Sequence, residues 1–301
     1  MNKEKIKKYA YSFGKLLGIA GLAFVIYKLF NEYTLDTFLQ SFKETLAIFP
    51  ILIIINIIAT MIGIIAWHKG YDHYATKTLP YITTFYFFAK TEIAKYLPGN
   101  VFHFVGRQAL ASQMSISQKD MAKASFFTTL MLCSATVLSA FSMALPSSII
   151  PNSLLLLGAL VTVGSIIFIL FIYSSFTVIK KLLMLFYLTI SISLQGVMLS
   201  IVVQQLLPET SFSLLMAIAA IYVLSWLVGF ITPGASGGLG VREGAFIAIA
   251  EFLHIHISMD VIIFAVLYIR LINILGDIVL YGITFFIKEP FQRIQTRGNN
   301  K

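Results

Sequence analysis

Residues 45–67 read TLAIFPILIIINIIATMIGIIAW, a run without a single charged side chain. Wound as a helix at ~1.5 Å per residue, it outreaches a hydrocarbon layer of ~30 Å. The rest of the chain agrees with it. Over 301 residues the hydrophobic share is 58%, the charged share 12% and the mean hydropathy +0.87. A soluble domain carries about twice that charge, so the composition predicts an all-α polytopic membrane protein. Further uninterrupted spans are expected at 121–145, 150–173, 182–206 and 261–287. The apolar run 13–30 follows Lys3, Lys5, Lys7 and Lys8. Without a small-residue cleavage site behind it, it reads as an uncleaved first span. Two other segments, 80–114 and 211–256, are apolar but interrupted by Pro-Gly and by charges.

Lysines and arginines orient the spans. The connections holding Lys69 and Lys77, Lys119 and Lys123, and Lys180 and Lys181 are basic, as is the tail with Lys288, Arg293, Arg297 and Lys301. Residues 31–44 hold one lysine and three acids, 146–152 no charge, and 208–211 only Glu209. By the positive-inside rule these alternate correctly if both termini are cytoplasmic and each broken segment returns to the side it started from. A re-entrant hairpin and two full crossings satisfy the rule equally.

A shift of 135 residues lays much of the chain on itself. Pro98-Gly99 falls on Pro233-Gly234, Arg107 on Arg242, and span falls on span. The predicted fold is therefore two inverted repeats, each three spanning helices plus a broken or re-entrant Pro-Gly segment. The layout is a basic cytoplasmic N-terminus (1–12), membrane repeat 1 (13–147), membrane repeat 2 (148–288) and a basic cytoplasmic tail (289–301). Paired Pro/Gly-interrupted segments in inverted halves are the sequence pointer to a transporter's binding site. A broken helix leaves N–H and C=O groups unpaired, which hydrocarbon penalises by several kcal/mol each unless protein or water satisfies them. A mere kink in a membrane helix is the plainer alternative.

The first break carries Glu92, Lys95, Pro98, Gly99, Asn100, His103 and Arg107; the second carries Pro233, Gly234, Ser236, Gly237, Gly238, Gly240, Arg242 and Glu243. Intramembrane charge costs at least ~2.5–3.5 kcal/mol and faces a cavity or a partner. Arg107 and Arg242 each stand nine residues after their proline, near the start of a new helix, where free N–H groups and a guanidinium suit a phosphate. Internal pairing, Arg107 with Glu92 and Arg242 with Glu243, is the competing role. Arg270 and Asp277 lie seven apart on one face of the last span, near Asn273; an ion pair and an ion-coupling site are the two readings.

Other patterns fail on context. Gly238-Leu-Gly240 with Asp260 downstream has no strand before it and no βαβ unit around it, which excludes a dinucleotide fold. His254 and His256 fall on different helix faces, and no metal is expected. The single cysteine, Cys133, excludes an internal disulfide. No Ser-His-Asp arrangement is legible, no cofactor is implied, and the basic excess fits cytoplasmic loops rather than nucleic acid.

The stretch Lys95-Tyr-Leu-Pro-Gly99 with His103 and Arg107, and Thr232-Pro-Gly234 followed by Gly237-Gly-Leu-Gly-Val-Arg-Glu-Gly244, resemble one family. They are similar to the transmembrane region of lysylphosphatidylglycerol synthetases, the flippase domain of the multiple peptide resistance factor, and its stand-alone relatives. The resemblance runs over roughly residues 10 to 290. It implies a multi-pass protein of the cytoplasmic (inner) membrane that moves an aminoacylated phospholipid, a polyprenyl-linked lipid or another envelope lipid between leaflets. Ala235-Ser236 departs from a tighter Pro-Gly-Gly turn. The chain ends at Lys301 without the aminoacyl-transferase domain of the fused enzymes, so it is not expected to make lysylphosphatidylglycerol alone.

The functional expectation is a lipid translocase, not an enzyme, that carries a phospholipid or polyprenyl-phosphate-linked lipid by alternating access. Lys95, Asn100 and His103 are expected along one wall and residues 236–243 along the other, with Arg107 and Arg242 on the phosphate. A lipid-modifying enzyme is a possible partner. The alternatives are a membrane-embedded transferase for a lipid-linked glycan or phospholipid, with Glu92, Glu243 or His103 as base or metal ligand, and a non-transporting scaffold.

Overall fold

The computed structural model describes residues 35–75, 78–96, 102–114, 116–172, 177–232, 238, 240–255 and 257–287. The predicted first span, both basic ends, and Pro98, Gly99, Asn100, Pro233, Gly234, Ser236 and Gly237 lie outside them. Every regular element among the described residues is helical: α1 (Leu35–Thr45), a 3₁₀ turn (Leu46–Ile48), α2 (Phe49–Tyr74), α3 (Tyr81–Glu92), a second 3₁₀ turn (Ile93–Tyr96), α4 (Phe102–Gln113), α5 (Gln118–Ala144), α6 (Asn152–Ile172), α7 (Val178–Leu206), α8 (Phe212–Ile231), α9 (Val241–Phe252) and α10 (Met259–Ile283).

Local chemistry explains the boundaries. Pro50 sits in the first turn of α2, where a missing N–H costs nothing. Pro80 stands at the N-cap of α3 and Pro151 just ahead of α6. Ser117 accepts from the Asp120 N–H to cap α5, and Ser211 from the Leu214 N–H to cap α8, each at 3.3 Å. Hydroxyls inside the spans bond back to their own helix, as Thr136 does to the Leu132 carbonyl at 2.7 Å and Ser225 to that of Ile221 at 2.7 Å. In these two the donor is satisfied within the helix itself.

Six helices among the described residues are long and apolar enough to cross a membrane. The expected spans at 45–67, 121–145, 150–173, 182–206 and 261–287 correspond to α2, α5, α6, α7 and α10. The sixth is a difference from the sequence reading. The first arm of the second broken segment, α8, runs unbroken for 20 residues, or ~30 Å, enough to span by itself. Its counterpart α3 has 12 residues and reaches only ~18 Å before its 3₁₀ extension. The second arms, α4 and α9, have 12 residues each and are too short to cross.

The packing graph has a regular form. α2 lies along α7; α2 meets α3 as α7 meets α8; α3 meets α4 as α8 meets α9; and α4 meets α5 as α9 meets α10. The cross-contacts match too: α5 with α7 and α8, α10 with α2 and α3. Polar stitches hold these crossings, with Ser191 donating to the Ala59 carbonyl between α7 and α2 at 2.8 Å, and the hydroxyls of Ser139 and Ser193 paired between α5 and α7 at 2.8 Å. Leu199, Val202, Tyr222, Phe264 and Ile269 anchor the largest apolar core, and Trp67, Tyr71, Phe87 and Met121 a second. Outward faces are apolar as well: Ile51, Ile54 and Ile58 on α2 and Leu156, Leu160 and Phe171 on α6 are exposed. An apolar exterior of this extent suits lipid.

Candidate functional site

Where the two broken segments approach the bundle centre, they enclose a cavity of about 220 Å³. One side is built by Glu92, Lys95, Tyr96, His103 and Arg107 around the first break; Arg242, with Trp226 and Phe230 of α8, faces it from the second. α2, α5, α7 and α10 supply the remaining wall, in which Asn56, Ser125, Thr128, Gln195 and Asn273 stand among apolar neighbours. Both arginines are buried, at 4% and 5% exposure, and both line this one space. That shared placement matters because the two residues are 135 apart in sequence and belong to different breaks.

The charges form two groups. In the first, Glu92 accepts from Arg107 at 2.7 Å through one carboxylate oxygen and from Lys95 at 3.2 Å through the other. Lys95 also meets Asp277 of α10 at 2.7 Å, and the Tyr96 hydroxyl donates to the same oxygen at 2.7 Å. This continuous chain ties α4, α3, the 3₁₀ turn and α10 together. Aromatic faces wrap the Arg107 guanidinium, with the rings of Phe88, Trp67 and Phe104 centred 4.3, 5.3 and 5.7 Å away. In the second group, Glu243 accepts from Arg270 of α10 at 2.9 Å and, through its other oxygen, from the Gly240 N–H at 2.8 Å. The latter bond caps α9 from its third position.

Glycines make that second turn possible. Gly238 and Gly240 hold φ of +74° and +78°, a region costly for any residue with a Cβ. A Cβ on Gly238 would also lie 3.2 Å from the Gly229 backbone, so the turn passes against α8 with glycine facing glycine. Gly238 and Gly240 therefore shape the backbone, while Arg242 and Glu243 carry the chemistry.

Two expected pairings are corrected. Arg107 does pair with Glu92, but Arg242 does not pair with Glu243. Adjacent residues on a helix point about 100° apart, so Glu243 turns to Arg270 while Arg242 turns to the Tyr222 hydroxyl, over whose ring it stacks at 4.5 Å. Nor do Arg270 and Asp277 pair with each other. Two helical turns separate them by ~10.5 Å along the axis; each instead reaches a different break.

Tyr222, Trp67, Phe88, Asn56 and Gln195 escaped the sequence reading. The aromatics carry no signal that separates them from lipid-facing rings. Lone amides at 56 and 195 within apolar spans do carry one, since hydrocarbon penalises each of them. The structure also aligns Thr84, His68 and Asp72, with contacts of 2.9 and 3.2 Å. The Thr84 hydroxyl is wholly buried and bonded to the carbonyls of Pro80 and Tyr81, so no substrate reaches it.

No known-family model and no curated protein matches the chain.

Proposed function

We propose that this protein is a lipid translocase that passes a phosphate-bearing head group through the central cavity while the acyl or prenyl tails stay in the bilayer. One observation carries the reading: the matched arginines of the two broken segments are both buried and both line a single cavity, with other charged side chains in its wall, inside a bundle of membrane-length helices. Buried charge in such a bundle marks a substrate path. The matched packing graph supports an inverted-repeat architecture, in which alternating access is a rocking of one half against the other around a fixed site. The resemblance of the two Pro-Gly motifs to the flippase region of lysylphosphatidylglycerol synthetases points to the same class. In that reading the protein lies in the cytoplasmic membrane with both termini inside. Lys95, His103 and Arg242 line the space for the head group, and the ion pairs of Glu92, Asp277 and Glu243 are remade as the halves rock.

The test is a leaflet-resolved assay in proteoliposomes, in which a head-group-labelled phospholipid is quenched from the outside. Wild-type protein is expected to make inner-leaflet lipid reachable. Arg107→Ala and Arg242→Ala are each expected to abolish this, Arg242→Ala while reconstituting normally. Undiminished translocation by both variants removes the arginines from the mechanism and the transport reading with them.

A further inference from the structure

Three carboxylates lie inside the bundle at the breaks, and their neighbours satisfy them unequally. Glu92 uses both oxygens, one on Arg107 of α4 and one on Lys95. Glu243 also uses both, on Arg270 of α10 and on the Gly240 N–H. Asp277 takes both of its contacts on one oxygen, Oδ2, which Lys95 and the Tyr96 hydroxyl each approach to 2.7 Å. Its Oδ1 has no partner among the described residues. The two donors are neighbours in one 3₁₀ turn, Ile93–Tyr96, and Lys95 is shared with Glu92. Of the three carboxylates, Asp277 is the one that a single movement strips bare.

That turn runs into the first break, and in the translocase reading the breaks are what rearrange. If residues 95 and 96 move away from α10, Glu92 keeps Arg107 and Lys95 keeps Glu92, whereas Asp277 keeps nothing. It lies within the span Asp260–Ile283. A bare carboxylate there costs several kcal/mol, and the neutral acid is the cheaper state. Asp277 lines the cavity, but its side chain is only 3% exposed. A ligand's ammonium group would need an N···O approach of ~2.7–2.9 Å and room for its own substituents; a proton needs neither. Carboxylates inside spans serve as proton relays.

The surroundings set Asp277 apart from the other charges. Lys95, Tyr96 and Glu92 face it from the turn and the end of α3. Further along α10, Arg270 is committed to Glu243 of α9, and in the other direction Lys90 of α3 lies over the rings of Tyr281 and Phe285, 4.7 Å from each. α2 and α7 present the uncharged Asn56, Thr60 and Gln195 to the cavity. Arg107, Arg242 and His103 also line it, and the His103 imidazole is the competing proton carrier.

Resting on the translocase reading, we infer that Asp277 is a proton-binding site that couples lipid movement to a proton gradient. The turn carrying Lys95 and Tyr96 leaves it, and Oδ1 takes one proton from water in the cavity. The returning turn restores the ion pair and expels that proton to the opposite face. One O–H bond forms and breaks in each cycle, with no change of oxidation state.

The test uses the full-length protein in proteoliposomes with the membrane potential clamped. The probe is phosphatidylethanolamine labelled on its head-group nitrogen, which leaves the phosphate as its only charge. Without a pH gradient the label equalises between leaflets. Under a gradient of two pH units, one coupled proton permits an asymmetry of at most about a hundredfold. Wild type is expected to gather most of the label in one leaflet, and in the other leaflet when the gradient is reversed. Asp277→Asn is expected to abolish the asymmetry and Asp277→Glu to retain it. Wild-type translocation that ignores the gradient overturns the inference and leaves the translocase standing. An asymmetry that survives Asp277→Asn but is lost in His103→Gln moves the proton to His103 and equally overturns it.

A second measurement does not depend on transport and covers an inert Asp277→Asn. Lys95→Met combined with Tyr96→Phe removes both donors and stands in for the displaced turn. Its infrared spectrum at pH 7 is expected to hold a carboxylic-acid C=O band that adding Asp277→Asn removes. Absence of that band means that Asp277 stays ionised without its partners, which overturns the inference. If the double variant does not fold, the gradient series on wild type and Asp277→Glu decides the matter. The band without translocation by any form removes the translocase and leaves Asp277 a proton-binding residue.

Discussion

Arg107 and Arg242 occupy matching places in sequence but unequal ones in energy. Arg107 neutralises Glu92 inside a cage of rings, so its removal strands a half-satisfied buried carboxylate. Breaking such a pair costs about 3–5 kcal/mol. Arg242 neutralises nothing, and replacing it with a neutral side chain relieves an unpaired buried charge. Thermal unfolding in detergent should therefore show Arg107→Ala well below wild type and Arg242→Gln at or above it, although both lose function. A fall of Arg242→Gln to the level of Arg107→Ala would mean that the guanidinium is a structural strut. Loss of function with stability retained is the mark of a site held under strain for its task. Sequence alone made these residues a matched pair. The difference between them is set by neighbours 15 and 20 positions away, Glu92 and Tyr222, whose directions depend on how the helices pack.

α10 is the element that joins the two breaks. Its Arg270 holds Glu243 of the second, and its Asp277, two turns on, holds Lys95 and Tyr96 of the first. A helix that grips both breaks through opposite charges is placed to relay a change at one to the other. Removing one partner, as in Lys95→Met or Asp277→Leu, should destabilise by about 3–5 kcal/mol. The double replacement should recover most of that loss, since an apolar pair of similar volume substitutes well for a buried ion pair. A double variant as unstable as the sum of the two singles would show that the residues act independently. The glycine crossing sets a second limit. Gly238→Ala places a Cβ at a positive φ and against the Gly229 backbone, and should cost about 1–3 kcal/mol, seen as a lowered melting temperature. Arg270 and Asp277 were both visible in the sequence, as was their common face. The spacing of seven pointed to a mutual pair because it fixes a shared direction, and the distance along the axis then forbids the contact.

For the whole molecule, the alternation of basic and non-basic connections predicts which ends of the spans share a side. In a Cys133→Ser background, Lys119→Cys and Lys180→Cys should react with an impermeant thiol reagent only from the inner face, and Ser148→Cys and Glu209→Cys only from the outer. Labelling of Lys119→Cys and Glu209→Cys from one side would break the inverted arrangement and the rocking mechanism built on it.

Apolar runs, turn residues and buried charge are local properties, and the chain alone determined them: the membrane-spanning character, the positions of the five uninterrupted spans that fall among the described residues, the two fractured segments and the arginines that follow them. A run of uncharged residues has one low-energy option in lipid, a hydrogen-bonded helix, so pattern becomes structure without reference to partners. Which carboxylate faces which cation was decided only by tertiary structure, together with the length of α8 relative to α3, the aromatic cage at Arg107 and the neutral partner of Arg242. Those outcomes depend on rotation and approach of helices far apart in sequence. An ångström-scale shift there changes the partner while leaving the hydrophobic pattern untouched.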